Sequence, residues 1–152
     1  MYSFKELLRI KNIDVTSFIK EKVALLSDQS SQFLTKSIRG YGIKKSLNLS
    51  IWEAPIDQIE NQILNPRSEF YNKIFDTIII FESSHSLQKK YNLSSNKERF
   101  SEEQFNRLQN LANHLLRSTH SRIILFNYYE LNDQLYGNYS SKNITSFIFQ
   151  LR

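Results

Sequence analysis

The chain has 152 residues, of which 40% are hydrophobic, and this size fits one domain with a substantial core. It contains no cysteine, which excludes disulfides, thiolate metal sites and a cysteine nucleophile. The formal charge is +5, but the basic residues are dispersed and accompany no nucleic-acid motif, so we expect no nucleic-acid partner. The chain lacks both a membrane-length apolar run and a signal peptide, so we predict a cytoplasmic protein without a membrane segment.

The first quarter of the chain predicts a short helical segment, a strand and a helix. Residues 1–21 carry weak helical stripes, which we interpret as a helical lead-in to the domain. The apolar run Val23–Leu26 is typical of a strand buried on both faces. A helix from about Gln29 to Ile38 follows, and we expect Gly40 and Gly42 to end it.

The next third of the chain repeats the alternation of strand and helix. Apolar and polar residues alternate over Leu47–Ile51, which predicts a second strand near an edge of the sheet. Pro55 suits the first turn of the helix that follows, and Ile59 and Ile63 belong to its buried stripe. The run Thr77–Phe81 has the highest β propensity in the chain and predicts the third strand.

The last part of the chain contains the clearest helix and a fourth strand. A polar segment, Ser86–Arg99, predicts a helical turn and a loop, and the capping box Ser101–Gln104 then begins a helix. Six apolar residues share one predicted face of this helix: Phe105, Leu108, Leu111, Ala112, Leu115 and Leu116. Arg122–Phe126 predicts the fourth strand, and a loop rich in Tyr and Asn leads to residues 144–152, which resemble the first turns of a helix.

Alternating strands and helices form parallel sheets with right-handed crossovers and helices on both faces. We therefore predict an α/β fold, a three-layer α/β/α sandwich around a parallel sheet of the flavodoxin type. Four strands make a small sheet, and we expect a fifth strand beyond Arg152, so the domain is predicted to be incomplete at its C-terminus.

Polar side chains follow every predicted strand, and the carboxyl ends of parallel strands meet at one edge of the sheet. Open α/β sheets bind their ligands at this edge. The predicted binding residues are Ser27, Asp28, Gln29, Ser30, Glu82, Ser83, Ser84 and Asn127. Backbone N–H groups at the start of the first long helix would favour an anion there.

Two interpretations of these polar residues remain open. In the catalytic one, His85 is the base, Asp28 or Glu82 orients its imidazole ring, and the nucleophile is one of four serines: Ser30, Ser31, Ser83 or Ser84. In the structural one, which we favour, Asp28 or Gln29 caps the helix that follows it, Ser83 begins the next helix, and His85 is solvated. The remaining histidines lack the spacing of metal ligands, and no glycine-rich phosphate loop occurs, so we predict neither a metal site nor a cofactor.

Several segments, taken in order, resemble the N-terminal domain of FkbH-like proteins of the HAD superfamily. They are Val23–Asp28, Gln32–Leu34, Ile38–Gly42, Asp57–Pro66, Ser68–Tyr71 and Ile78–Ser83. The resemblance implies that residues 22–152 form an SGNH-hydrolase-like domain that precedes a HAD phosphatase domain. It also implies a role in loading a glyceryl or similar three-carbon unit onto an acyl carrier protein, which would be a partner together with the C-terminal HAD domain.

The chain departs from the SGNH pattern where those hydrolases have Gly-Asp-Ser and an oxyanion-hole Asn. Ser27, Asp28 and Gln29 occupy the first block, so an amide stands where the resemblance places the nucleophile, and Ser30 comes one residue late. Phe81–Ser84 matches the later block without its Asn. We therefore expect a non-catalytic binding domain. The alternatives are an acyl-ester hydrolase or transferase that uses Ser30 as a displaced nucleophile, and a nucleotide-binding flavodoxin-like module.

Overall fold

The computed structural model describes residues 3–8, 10, 13–131 and 137–152. The strands are β1 (Ile19–Ser27), β2 (Leu47–Glu53), β3 (Thr77–Phe81) and β4 (Arg122–Leu125). The helices are α1 (Phe4–Leu8), α2 (Gln32–Lys44), α3 (Ile59–Leu64), α4 (Ser84–Leu93), α5 (Phe100–Ser118) and α6 (Phe147–Leu151), with short 3-10 turns at Glu69–Asn72 and Gly137–Lys142. Parts of the predicted lead-in (residues 1, 2, 9, 11 and 12) and of the predicted loop (132–136) lie outside the described residues.

All four strands are parallel and follow the spatial order β2-β1-β3-β4. The predicted parallel α/β sheet is therefore confirmed. β1 lies between its two partners, with Val23 beside Ile51 of β2 and beside Thr77 of β3. Because the chain moves to one side of β1 to form β2 and to the other side to form β3, the direction of winding reverses between β1 and β3. Open α/β sheets bind ligands outside the carboxyl ends of the strands at such a point.

Helices cover both faces of the central strands, which gives the predicted three layers. On one face, Val23 and Leu25 of β1 pack in a cluster with Leu34 and Ile38 of α2. On the other face, the alternate residues of β1 and β3 pack against α3 and α5. The fully or nearly fully buried members of that second cluster include Ala24, Leu26, Ile63, Ile78, Ile80, Leu111 and Leu115. No helix in the described ranges is both long enough and apolar enough to cross a membrane.

The two glycines of α2 serve close packing and do not end the helix, so that prediction was wrong. The helix begins at Gln32, passes through Gly40 and Gly42 and ends at Lys44. A Cβ atom on Gly40 would lie 2.4 Å from the carbonyl oxygen of Leu7, and one on Gly42 would lie 2.7 Å from the Leu49 side chain. The absence of side chains at these two positions lets α1 and β2 approach α2 closely. A local sequence pattern does not distinguish a glycine needed for such packing from a glycine that ends a helix.

The start and the apolar face of α5 also differ from the prediction. The helix begins at Phe100 after Arg99, and no side chain caps it, so the predicted capping box is not formed. Leu111 and Leu115 are buried, whereas Phe105 and Leu116 are exposed. A stripe of six apolar residues spans more of the helix circumference than one contact with the sheet covers, and its outer members remain in solvent.

Candidate functional site

Asp28 and Ser83 meet at the carboxyl edge, between β1 and β3. Both carboxylate oxygens of Asp28 accept a hydrogen bond from the backbone N–H of Ser83, at 3.1 and 3.0 Å. The Ser83 hydroxyl in turn accepts from the N–H of Ser86 at 3.1 Å and caps α4. The Asp28 carboxylate therefore lies at the amino end of α4, where the helix dipole stabilises negative charge. Asp28 therefore stabilises the start of α4. It does not cap α2, the helix that follows it in the sequence.

The serines beside these two residues are held by hydrogen bonds to the backbone. The buried Ser27 hydroxyl accepts from the N–H of Gln29 at 3.2 Å, which closes the turn after β1. The buried Ser84 hydroxyl accepts from the N–H of Tyr129 at 3.0 Å, which fastens the segment after β4 to the start of α4. Both hydroxyls therefore have a structural role at the edge.

Glu82 is a buried carboxylate at the end of β3 that is surrounded by donors. Arg107 of α5 donates to one of its oxygens at 2.5 Å, Tyr128 donates to the same oxygen at 2.7 Å, and Lys90 donates to the other at 3.3 Å. Burial alone would raise the pKa of Glu82, but the hydrogen bonds from Arg107 and Tyr128, together with the nearby positive charges, outweigh it. The pKa of Glu82 is therefore below its ordinary value, and the side chain is a carboxylate at neutral pH.

The two strongest partners of Glu82 were not predicted from the sequence. Burial and the negative charge of Glu82 raise the pKa of Tyr128 above its ordinary value, so this phenol keeps its proton and donates. Arg107 also donates to Glu60 of α3 at 3.0 Å and so joins α3, α5 and the end of β3. The sequence contains one indication that Arg107 lies close to the core: it directly precedes Leu108, at the border of the predicted buried stripe.

Ser30 and His85, the proposed nucleophile and base, are both exposed. The ring of His85 lies edge-on to that of Tyr129, with 6.1 Å between their centroids. Among the hydrogen bonds of the described residues, none joins Ser30 to His85, so this arrangement does not activate the hydroxyl. Gln29, at the position that the resemblance gives to the nucleophile, is exposed as well.

A second serine, Ser31, lies at the start of α2 and contacts an acid at the carboxyl end of β2. Its hydroxyl donates to Glu53, at the end of β2, at 2.7 Å. Both residues line an open cavity of about 370 Å³, together with Ser30 and Ile56. Among the hydrogen bonds of the described residues, none joins Ser31 to a histidine, and its contact with Glu53 ties the start of α2 to the end of β2.

Asn127 contributes less to the edge than predicted. It is exposed, and its side-chain oxygen accepts from the N–H of the next residue, Tyr128, at 3.1 Å. The structure thus brings Asp28, Ser83 and Ser84 together, with Glu82 buried beside them, and leaves Ser30, His85 and Asn127 at the surface. Within the described part of the chain, no cluster of three or more His, Asp or Glu residues has the arrangement of a metal site.

Comparisons with known proteins give one family and one solved relative. A family model described as the N-terminal domain of FkbH matches residues 22–152. A crystal structure of the N-terminal part of a protein from Bacteroides fragilis, described as containing a phosphatase domain and complexed with Mg, is 36% identical with a TM-score of 0.87. The match covers 99% of this chain and 40% of that one, so the chain spans less than half of that relative. The comparison with curated proteins gave no match.

Proposed function

Because the chain belongs to the family of FkbH N-terminal domains, we propose that it is a non-catalytic binding domain that acts beside a phosphatase domain. Its proposed partner is an acidic acyl carrier protein to which a three-carbon acyl unit is loaded. The relative from Bacteroides fragilis supports the phosphatase part of this proposal, since its description includes such a domain. The absence of cysteine suits a reducing compartment, and we place this activity in the cytoplasm.

The observation that carries the proposal is the use of the polar groups at the carboxyl edge. An SGNH hydrolase needs a free hydroxyl paired with a base. Here Asp28 accepts from a helix amide, Glu82 is neutralised by Arg107 and Lys90, and the buried hydroxyls of Ser27 and Ser84 accept from the backbone. These groups stabilise the edge, which supports a role in binding in preference to ester chemistry.

The charge of α2 supports an acidic partner. This helix contains Lys36, Arg39 and Lys44 and no acidic residue, and it begins at the carboxyl edge. Lys36 is exposed in its second turn, 5.7 Å from the ring centroid of the exposed Phe33. Positive side chains next to an exposed aromatic ring suit a partner with acidic and apolar residues, and complementary charge increases the rate of such an encounter.

Titration of a purified acyl carrier protein against the chain tests the proposal. We expect binding that weakens as salt is added, because exposed charges are screened. Lys36→Glu is expected to weaken binding about fivefold, since one exposed ion pair contributes up to about 1 kcal/mol. Lys20→Glu is the matched control: it makes the same change of charge at an exposed position at the amino end of β1 and should leave binding unchanged.

Two outcomes would refute the proposal. One is the absence of binding at low ionic strength. The other is turnover of a short nitrophenyl ester that Ser30→Ala abolishes, which would establish the alternative hydrolase with a displaced nucleophile. Ser30 is exposed, so this substitution leaves the core intact and a loss of turnover would report on chemistry.

A further inference from the structure

β4 forms one edge of the sheet and is far more exposed than its neighbour. It pairs with β3 on one side, and no described strand pairs with it on the other. The β3 residues Ile78 and Ile80 are 0% and 2% exposed, whereas Ile124 and Leu125 of β4 are 38% and 46% exposed. An open edge with exposed apolar side chains invites another strand, and proteins usually cover such an edge or place charges on it.

The apolar side chains at this edge lie on both faces of the sheet. Ile124 pairs in register with Ile79, which packs in the cluster that includes α2 residues, and Leu125 therefore lies on the opposite face. Phe126 follows β4, is 39% exposed and contacts the ring of Phe81, with 5.2 Å between centroids. A strand added beside β4 would cover both faces, because its own side chains also alternate.

Helix α5, which packs on the same face of the sheet as Leu125, carries a further exposed apolar side chain. Leu116 is 64% exposed, and it is nine residues, about 180° of rotation, from Arg107, which reaches α3. Leu116 therefore lies on the flank of α5 that faces away from α3. We call Leu116, Ile124, Leu125 and Phe126 the β4 edge surface. A strand alone does not reach the flank of a helix, so this surface fits a strand followed or preceded by a helix.

We propose that the β4 edge surface is where the phosphatase-bearing part of the protein packs, by pairing a parallel strand with β4 and placing an apolar helix beside α5. This inference rests on the proposed function in one respect, namely that the domain acts beside a phosphatase domain. The Bacteroides relative has 60% of its chain outside the match, since the match covers 40% of it, and that polypeptide is long enough to supply a strand and a helix.

The short length of β4 favours a covalently joined partner over a second copy of the chain. A four-residue edge supplies a small fraction of the ~1,200 Å² that a stable interface between separate proteins buries. A segment of the same polypeptide has a high effective concentration at the edge and needs little affinity of its own to stay there. Pairing across a short strand is therefore sufficient for a joined domain and insufficient for a dimer.

The 152 residues contain no cysteine, so a thiol introduced into them can be labelled specifically once any cysteine of the joined part has been replaced by serine. Ile124→Cys and Phe126→Cys are prepared in two forms, the 152-residue chain and the same chain joined to its phosphatase-bearing part, and the rate of labelling by an aromatic disulfide is measured. We expect both thiols to react about tenfold or more slowly in the joined form, because a covered strand reacts only through local opening. Ser50→Cys, an exposed position on the opposite edge strand β2, is the matched control and should react at the same rate in both forms.

Two results would overturn the inference. Equal labelling rates in the two forms would show that the joined part leaves β4 open. Protection that appears in the 152-residue chain alone and grows with its concentration would identify a second copy as the occupant. Two positions are used so that a folding defect in one variant does not remove the test. Failure of the carrier titration would refute the proposed partner and leave the labelling result unchanged, so the two failures are distinguishable.

Discussion

Replacement of Arg107 by methionine is the sharpest test of how the carboxyl edge is held together. The Arg107 side chain is 21% exposed, and its guanidinium donates to a Glu82 side chain that is 5% exposed. Removing one partner of a buried ion pair costs about 3–5 kcal/mol. Tyr128 and Lys90 still contact the carboxylate in the variant. We therefore expect a loss of about 2–3 kcal/mol in the free energy of unfolding at pH 7.

The pH dependence of this loss follows from the pKa of Glu82. In the wild type the folded-state pKa lies below the ordinary 4.5, so Glu82 stabilises the fold above that pH, and the contribution disappears as the pH falls through the folded-state value. Without Arg107, its hydrogen bond and its charge no longer lower the pKa of Glu82, so this pKa rises and less of the stabilisation above pH 4.5 remains. The difference between wild type and Arg107→Met is therefore expected to be largest near neutral pH and to shrink below pH 4.5.

Urea unfolding followed by tryptophan fluorescence measures both quantities. Trp52 is the single tryptophan, and its ring stacks on Phe75 with 5.5 Å between centroids, so its emission reports on the core. Arg99→Met is the matched control at the amino end of the same helix, since Arg99 pairs at 3.1 Å with Glu102 in solvent. We expect that variant to unfold like the wild type. A loss in Arg107→Met that is as small as in the control, or that is the same at pH 7 and pH 4, would refute the reasoning.

Three further substitutions test other contacts in the same assay. Gly40→Ala would place its Cβ 2.4 Å from the Leu7 carbonyl oxygen, so we expect a loss of about 1–3 kcal/mol. A gain of about 1 kcal/mol, as alanine gives in a free helix, would contradict the close packing of α1 on α2. Ser83→Ala removes the hydroxyl that accepts from Ser86 and is expected to cost about 1 kcal/mol. Unchanged stability would show that this cap is dispensable. Asp28→Asn removes a charge at the amino end of α4, and we expect a loss of about 1 kcal/mol that high salt reduces. A loss independent of salt would assign the effect to geometry instead.

Local sequence patterns were sufficient for the fold class and for the central part of each strand, but β1 begins at Ile19, so the predicted helical lead-in was wrong for residues 19–21. The runs Val23–Leu26 and Thr77–Phe81 lie within β1 and β3, and all of their residues except Phe81 are buried, as apolar runs of that length predict. The glycines of α2 were misinterpreted because glycine has the same local signature at a helix end and at a close helix contact. Which of these two roles Gly40 has depends on Leu7, which is 33 residues away in the sequence and adjacent to Gly40 in space.

The candidate site was predicted less completely than the fold. The strand-end rule placed Asp28 and Ser83 at one edge, and their contact confirms that proximity. The rule does not say which groups form hydrogen bonds, because Asp28 and Ser83 are 55 residues apart and their geometry depends on the packing of α4. The role of Arg107 could not be predicted for a related reason. A helix pattern shows which flank of the helix a charge occupies, but it does not show that Glu82 is buried beside that charge, because this depends on the packing of three separate segments.

The central position of β1 has a consequence for how the molecule opens. Because Val23, Ala24 and Leu25 of β1 are paired with both β2 and β3, their amide protons exchange with solvent deuterium only if β1 separates from one of these two strands. The slowest exchange in the chain is therefore expected in this segment, and its rate would report the free energy of global unfolding. Asp28 lies three residues beyond that segment and its carboxylate accepts from the Ser83 N–H, so a ligand at the carboxyl edge would meet an acid that the sheet and α4 both hold in place.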